Sequence, residues 1–143
     1  MTFLLDSDHF SLLQRMGSNS TILLSKMAKH DDHDFAASII TFHEQAIGAH
    51  KAIQNARNEV QLRLGYNLMQ RAFIDYQRFT VVAFEEREQA VFHNFPGNLR
   101  VNVMDLRIAA IAIANNLTLL SRNLRDFARV PGLRVEDWTV ENH

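Results

Sequence analysis

The chain has 143 residues, 47% of them hydrophobic and 22% charged, with a formal net charge of −1. That balance fits one soluble domain with a sizeable core and provides no global field toward nucleic acid or membrane. Cysteine is absent, which excludes disulfides, thiolate nucleophiles and Cys-based zinc sites and suits a reducing cytoplasm. No apolar run approaches the ~20 residues of a membrane span, and a basic, apolar leader is not seen. With five Gly and two Pro there is little room for linkers, and residues 1–143 are expected to form a single domain.

The apolar run Phe3-Leu4-Leu5 reads as a buried strand that stops on Asp6, Ser7 and Asp8. An unpaired ion is costly inside a sheet, so these acids belong at the strand's exit. HFSLLQRM continues as a helix, and after Gly17 the residues Ile22, Leu23, Met27 and Ala28 recur at helical spacing. KHDDHD, residues 29–34, reads as a solvated loop rather than a metal site, because nothing fixes its geometry. AASII is a second strand, with Thr41 as N-cap and Glu44 three residues on, matching a capping box. A long helical region from Glu44 toward Phe79 follows, with Gly65 as a candidate break; the spacing of Ile53, Val60, Leu64, Leu68, Phe73 and Tyr76 predicts one buried stripe. TVVAF is a third strand, and a helix from Glu85 to about His93 ends before Pro96-Gly97. MDLRIAAIAIANN is an apolar helix ending at Asn115-Asn116, LTLLS a fourth strand, RNLRDF a short turn or helix, and LRVED a last strand.

Strands alternating with helices predict an α/β fold of three layers, α/β/α, around a mostly parallel central sheet of four to five strands. Ligands then gather outside the carboxyl ends of the strands. Asp6, Glu44, Asp105, Ser121, Arg122, Asn123 and Asp126 all follow strands or open helices that would place them at that edge. Clustered carboxylates repel one another unless a cation joins them, and hard oxygen donors suit Mg²⁺ or Mn²⁺. Each acid also has a plainer reading: Asp6 and Asp8 as helix caps, Glu44 as partner of Thr41, Asp105 at a helix N-terminus, Asn123 and Asp126 as turn residues. His43 and His50 lie seven apart on one helix face with no partner to name.

FLLDSDHFSLL, SIITFHEQAIGA and VMDLRIAAIAIANNLTLLSRNLRDFARVPGLRVEDW resemble, in order and at similar distances, the PIN-domain ribonucleases of the VapC toxin type. The resemblance is weakest between Ala49 and Asn98. It implies a Mg²⁺- or Mn²⁺-dependent endoribonuclease, the toxin of a toxin–antitoxin pair, in which activated water attacks an RNA phosphodiester in line. It implies Asp6, Glu44, Asp105 and Asp126 as catalytic, metal-holding carboxylates, with Asp8, Ser121 and Asn123 supporting; Ser121 would bond the Asp6 carboxylate. Many members carry Asp where this chain has Asn123, so Asp126 is taken as the fourth acid. Arg107 and Arg122 would meet RNA phosphates. A homodimer and a small antitoxin protein are the implied partners, the latter docking on apolar surface of the first two helices, and no membrane is involved. The alternative is a PIN-like module that binds RNA or a partner without cleaving. A haloacid-dehalogenase-type phosphatase is weaker: DSD resembles its opening motif, but Phe10 and the lack of a late Lys do not fit.

Overall fold

The computed structural model describes residues 1–15 and 20–141. The expected helix start after Gly17 lies outside the described residues as far as Asn19. In chain order the elements are β1 (Phe3–Leu5), α1 (Ser7–Arg15), α2 (Thr21–Met27), β2 (Phe35–Ser38), α3 (Ile39–Gln54), α4 (Glu59–Tyr76), β3 (Thr80–Val82), α5 (Glu86–His93), α6 (Val103–Ala114), β4 (Thr118–Leu120), α7 (Leu124–Phe127) and β5 (Val135–Glu136). KHDDHD is the exposed approach to β2 and contains a single 3-10 turn, Asp32–Asp34, capped by Asp31.

The five strands of the described residues pair in the order β3-β2-β1-β4-β5, every pair parallel. Phe3 and Leu5 stand opposite Phe35 and Ala37 on one side and Thr118 and Leu120 on the other. The side-chain period of two divides the core between the sheet faces. Leu4, Ala36 and Leu119 pack beneath Ile108, Ala109, Ile111 and Ala112 of α6, whereas Phe3, Leu5, Phe35, Ala37 and Leu120 pack with Phe10, Leu12, Leu23 and Tyr76. This is the expected three-layer arrangement. The connections from β1 lead toward β2 on one side while β4 lies on the other, so the sheet's topological switch point falls between β1 and β4. Among the described residues, no helix is long and apolar enough to cross a membrane.

Two local expectations are corrected. The helix after β2 starts at Ile39, and its N-cap is Ser38, not Thr41: Ser38 Oγ accepts the Thr41 backbone N–H at 2.9 Å. Glu44 is therefore no capping partner. The long helical region is two helices, parted at Asn55–Asn58, where Asn58 accepts the Gln61 N–H at 2.9 Å and opens α4. Gly65 is not a break. It lies within α4 where that helix turns back on α3, and a Cβ there would stand 2.8 Å from Ile53 Cγ1 and 3.0 Å from the Ile53 nitrogen.

The expected buried stripe is also absent. Val60, Leu64, Leu68 and Phe73 are each more than half exposed, and Tyr76 alone of the stripe's α4 members is buried. The close approach is made by Gly65 against Ile53 of α3; Ala72 on α4 and Ala49 on α3 are also buried and small, while Val60, Leu64, Leu68 and Phe73 are exposed. We expect Gly65→Val to cost about 2 kcal/mol by overpacking this contact. Urea denaturation checks it, and an unchanged midpoint would contradict the close approach.

Candidate active site

The parallel register brings the carboxyl ends of β1 and β4 side by side, which sets Asp6 against Ser121 across 115 residues of sequence. Ser121 Oγ donates to Asp6 Oδ2 at 2.7 Å and accepts the Asn123 N–H at 3.0 Å. The Ser7 N–H donates to Asp6 Oδ1 at 2.7 Å, while Ser7 Oγ donates to Glu44 Oε1 at 2.9 Å. Ser7 thus links the acid at the end of β1 to the acid in the second turn of α3. Asp105 occupies the first turn of α6, half-buried. Asp126 in α7 accepts from Asn123 Nδ2 at 3.1 Å and faces Arg129 at 3.6 Å. Asp8 accepts the Arg122 N–H at 3.0 Å.

These acids share one electrostatic environment. Burial pushes the Asp6 carboxyl up to about 7; the charges of Asp8 and Asp105 push the same way, against the bonds from Ser121 and Ser7. Burial pushes Asp105 up to about 6, with Glu44, Asp126 and Asp8 adding to it. Hard oxygen donors whose charged forms are disfavoured by burial and by one another are what a divalent cation relieves, and the donor set fits Mg²⁺ or Mn²⁺. In their present rotamers, no three His, Asp or Glu side chains of the described residues surround one metal position. Asp6 and Glu44 are turned to serine donors and Asp126 to Asn123.

Of the expected site residues, Asp6, Ser121, Asn123 and Asp126 are joined in one run of hydrogen bonds, Glu44 joins it through Ser7, Asp8 lies beside it on the Arg122 N–H, and the charge of Asp105 acts on Asp6. Arg122 contributes its backbone N–H, and its side chain is exposed. Arg107 lies one helical turn past Met104, whose sulfur its guanidinium meets at 3.4 Å. Arg134 bonds the Asn116 carbonyl and side chain before β4, at the opposite edge of the sheet. His43 and His50 are both exposed on α3 and take no part in these bonds.

Sequence reasoning misses Ser7 and Tyr76. Ser7 stands in view inside DSD, but its partner in α3 is 37 residues away. The Tyr76 ring stacks on Phe10 at 4.2 Å, and its buried hydroxyl has no hydrogen-bond partner among the described residues. Burial, and after it the charges of Glu44, Asp6 and Asp75, raise the phenol above its ordinary range. We expect Tyr76→Phe to stabilise the protein by about 1 kcal/mol, since it removes an unsatisfied buried group. Thermal denaturation checks this; a clear loss of stability would show that the hydroxyl has a partner in solution.

No family model matches the chain. Individual relatives do. The tRNA(fMet)-specific endonuclease VapC of Salmonella typhimurium is 32% identical over 110 residues, which cover 71% of this chain and 73% of the relative. Ribonuclease VapC2 of Haemophilus influenzae is 36% identical over 66 residues; there the match spans half of the relative's length and 43% of this chain. Among solved structures, VapBC-1 from nontypeable Haemophilus influenzae superposes with a TM-score of 0.74 at 20% identity over 98% of this chain and 100% of that one. VapBC2 from Rickettsia felis, solved bound to a promoter DNA fragment, gives 0.67 at 24% identity over 96% and 99%. The five-stranded parallel sheet with its helical layers is the PIN-type α/β fold. By its identity to the Salmonella relative and the span of that match, the chain belongs to the VapC family.

Proposed function

We propose that this protein is a divalent-cation-dependent endoribonuclease and the toxin of a toxin–antitoxin pair, working in the cytoplasm as one domain over residues 1–143. The observation that carries the reading is the acidic cluster at the β1/β4 switch point, where burial and mutual repulsion raise both Asp6 and Asp105. Asp6, Glu44, Asp105 and Asp126 would hold Mg²⁺ or Mn²⁺. When bound, the cation lowers the pKa of a water and stabilises the charge that develops on a phosphodiester under attack. The chain's own part is to hold the carboxylates rigid. Ser121 and Ser7 fix both oxygens of Asp6, and Ser7 orients Glu44. Arg107 and the exposed Arg122 lie beside the acids in sequence and would receive RNA phosphates.

The partners we propose are RNA, a second copy of the chain and a small antitoxin. The apolar surface suited to an amphipathic antitoxin segment is richer than the first two helices offer. Leu24 is the exposed large apolar residue of α1 and α2 among those described, whereas α4 exposes Val60, Leu62, Leu64, Tyr66, Leu68, Phe73 and Ile74. Docking on α4 is the version we favour.

The test is incubation of the purified protein with a mixed RNA pool, with a tRNA fraction as a separate arm, in Mn²⁺, in Mg²⁺ and in EDTA. Cleavage that depends on the cation is expected. Cleavage undiminished in EDTA would overturn the cation's role, and none in any arm would favour the non-cleaving module. Ser121→Ala is expected to weaken Mn²⁺ binding by about tenfold, read by titration calorimetry, because Asp6 loses the donor that holds it.

A further inference from the structure

We infer that His9 is a positioning residue of the acidic site, holding Asp8 in place through a ring proton whose location the Glu136–Trp138 segment dictates. The inference rests on the nuclease reading above. His9 is fully buried in α1, directly after Asp8. Its Nδ1 lies 2.7 Å from Asp8 Oδ1, and its Nε2 lies 3.0 Å from the Trp138 backbone nitrogen.

A backbone N–H can only donate, so Nε2 must present its lone pair to Trp138. The proton of the neutral ring then sits on Nδ1 and is donated to Asp8. The Asp137 carboxylate, 3.7 Å from Nε2, does not compete for a proton there: its Oδ1 already accepts from the Thr139 N–H at 2.8 Å and the Thr139 hydroxyl at 2.6 Å. Asp8 is thereby fixed at both oxygens, by His9 on one and by the Arg122 N–H at 3.0 Å on the other.

The far end of this linkage is anchored as well. The Trp138 ring packs on Phe3 at 4.6 Å, His30 at 5.4 Å and Phe35 at 5.9 Å, which pins the backbone beyond β5 to the face of β1 and β2. Contacts therefore run from the sheet core through Trp138 and His9 to a carboxylate of the acidic cluster. Orientation of an acid by a histidine N–H is the kind of outer support on which cation affinity depends. The plainer alternative is a buried histidine that only satisfies the Trp138 amide.

Two substitutions separate these roles. His9→Gln places a carbonyl near the Nε2 position, so it keeps an acceptor for Trp138 and loses the donor to Asp8. His9→Asn places an amide N–H near Nδ1, so it keeps the donor and loses the acceptor. For each variant we would measure Mn²⁺ affinity, RNA cleavage and hydrogen exchange of the Trp138 amide, and for the wild type the imidazole ¹⁵N shifts. Expected are an Nδ1–H tautomer in the wild type and a His9→Gln protein with Trp138 still protected but Mn²⁺ affinity lowered about tenfold. His9→Asn is expected to lose the protection yet bind Mn²⁺ within about threefold of wild type. Wild-type Mn²⁺ affinity in His9→Gln, or an Nε2–H tautomer, would overturn the inference. Mn²⁺ binding and dependence on His9 without RNA cleavage would instead sink the nuclease reading and leave His9's role standing; no Mn²⁺ binding by the wild type would sink both.

Discussion

Asp6→Asn is expected to make the cation-free protein more stable at pH 8, and to do so while abolishing cleavage. The Asp6 carboxyl titrates near 7 in the fold against an ordinary value of 3.8. The native state therefore holds this proton more tightly than the unfolded chain does. The stability it contributes is fully present below about pH 4 and is lost as pH rises through 7. Above that, the fold carries an ionised, buried acid whose neighbours Asp8 and Asp105 are also negative. Replacing it by a neutral side chain of the same shape relieves a cost of order 2–4 kcal/mol, enough to raise Tm by more than about 5 °C. Thermal denaturation in EDTA from pH 4 to 8 reads this directly. The wild type should lose stability across that window and Asp6→Asn should lose less, because Asp6 no longer titrates there while Asp105, raised as well, still does with the same sign. Added Mn²⁺ should close the gap at pH 8 by stabilising the wild type alone. A variant less stable than wild type at pH 8 in EDTA would show that Asp6 is not strained by its surroundings.

Asp105→Asn is expected to reduce RNA cleavage by a factor of ~100 or more while leaving the fold intact. Asp105 lies in the first turn of α6, where the Asn102 side chain caps the helix by accepting the Met104 N–H at 2.8 Å, so the helix start does not depend on the Asp105 carboxylate. Its field reaches Asp6, and it feels Glu44, Asp126 and Asp8 in turn. Its removal should lower the Asp6 pKa and weaken Mn²⁺ binding together, which distinguishes a change in the site from unfolding. Single-turnover cleavage and a Mn²⁺ titration on the same preparation test it. Cleavage at the wild-type rate would remove Asp105 from the machinery.

Much of the fold and of the site is legible in the amino-acid sequence alone. Short apolar runs that stop on polar residues locate β1 and β4, and parallel strands must share an edge at their exits, which puts Asp6 and Ser121 together. The stretch from Ser38 to Tyr76 resists the same reasoning. Two residues there compete for the same cap, and Ser38 prevails because Ile39 and Ile40 are helical rather than extended. The apolar spacing of α4 is real but points outward, since Gly65 makes the close contact with α3; periodicity identifies an apolar face and cannot say what covers it. Ser7 and His9 escape for another reason. Their partners lie 37 and 129 residues away, and no local pattern encodes such a pair.

The order of the sheet also governs how the molecule comes to exist. The central strand is encoded by residues 3–5, yet one of its two neighbours is β4 at residues 118–120. During synthesis the first half of the chain can pair β1 with β2, but the edge that β4 will occupy stays open until β4 itself, residues 118–120, has been made. Closing so distant a pairing is slow, and an open strand edge invites association meanwhile. Asp6 spends that interval without Ser121 beside it. A ribosome-bound chain arrested before residue 118 therefore bears all the acids through Asp105 but lacks the strand that sets Ser121 against Asp6, so the acidic site is completed only with the last strands.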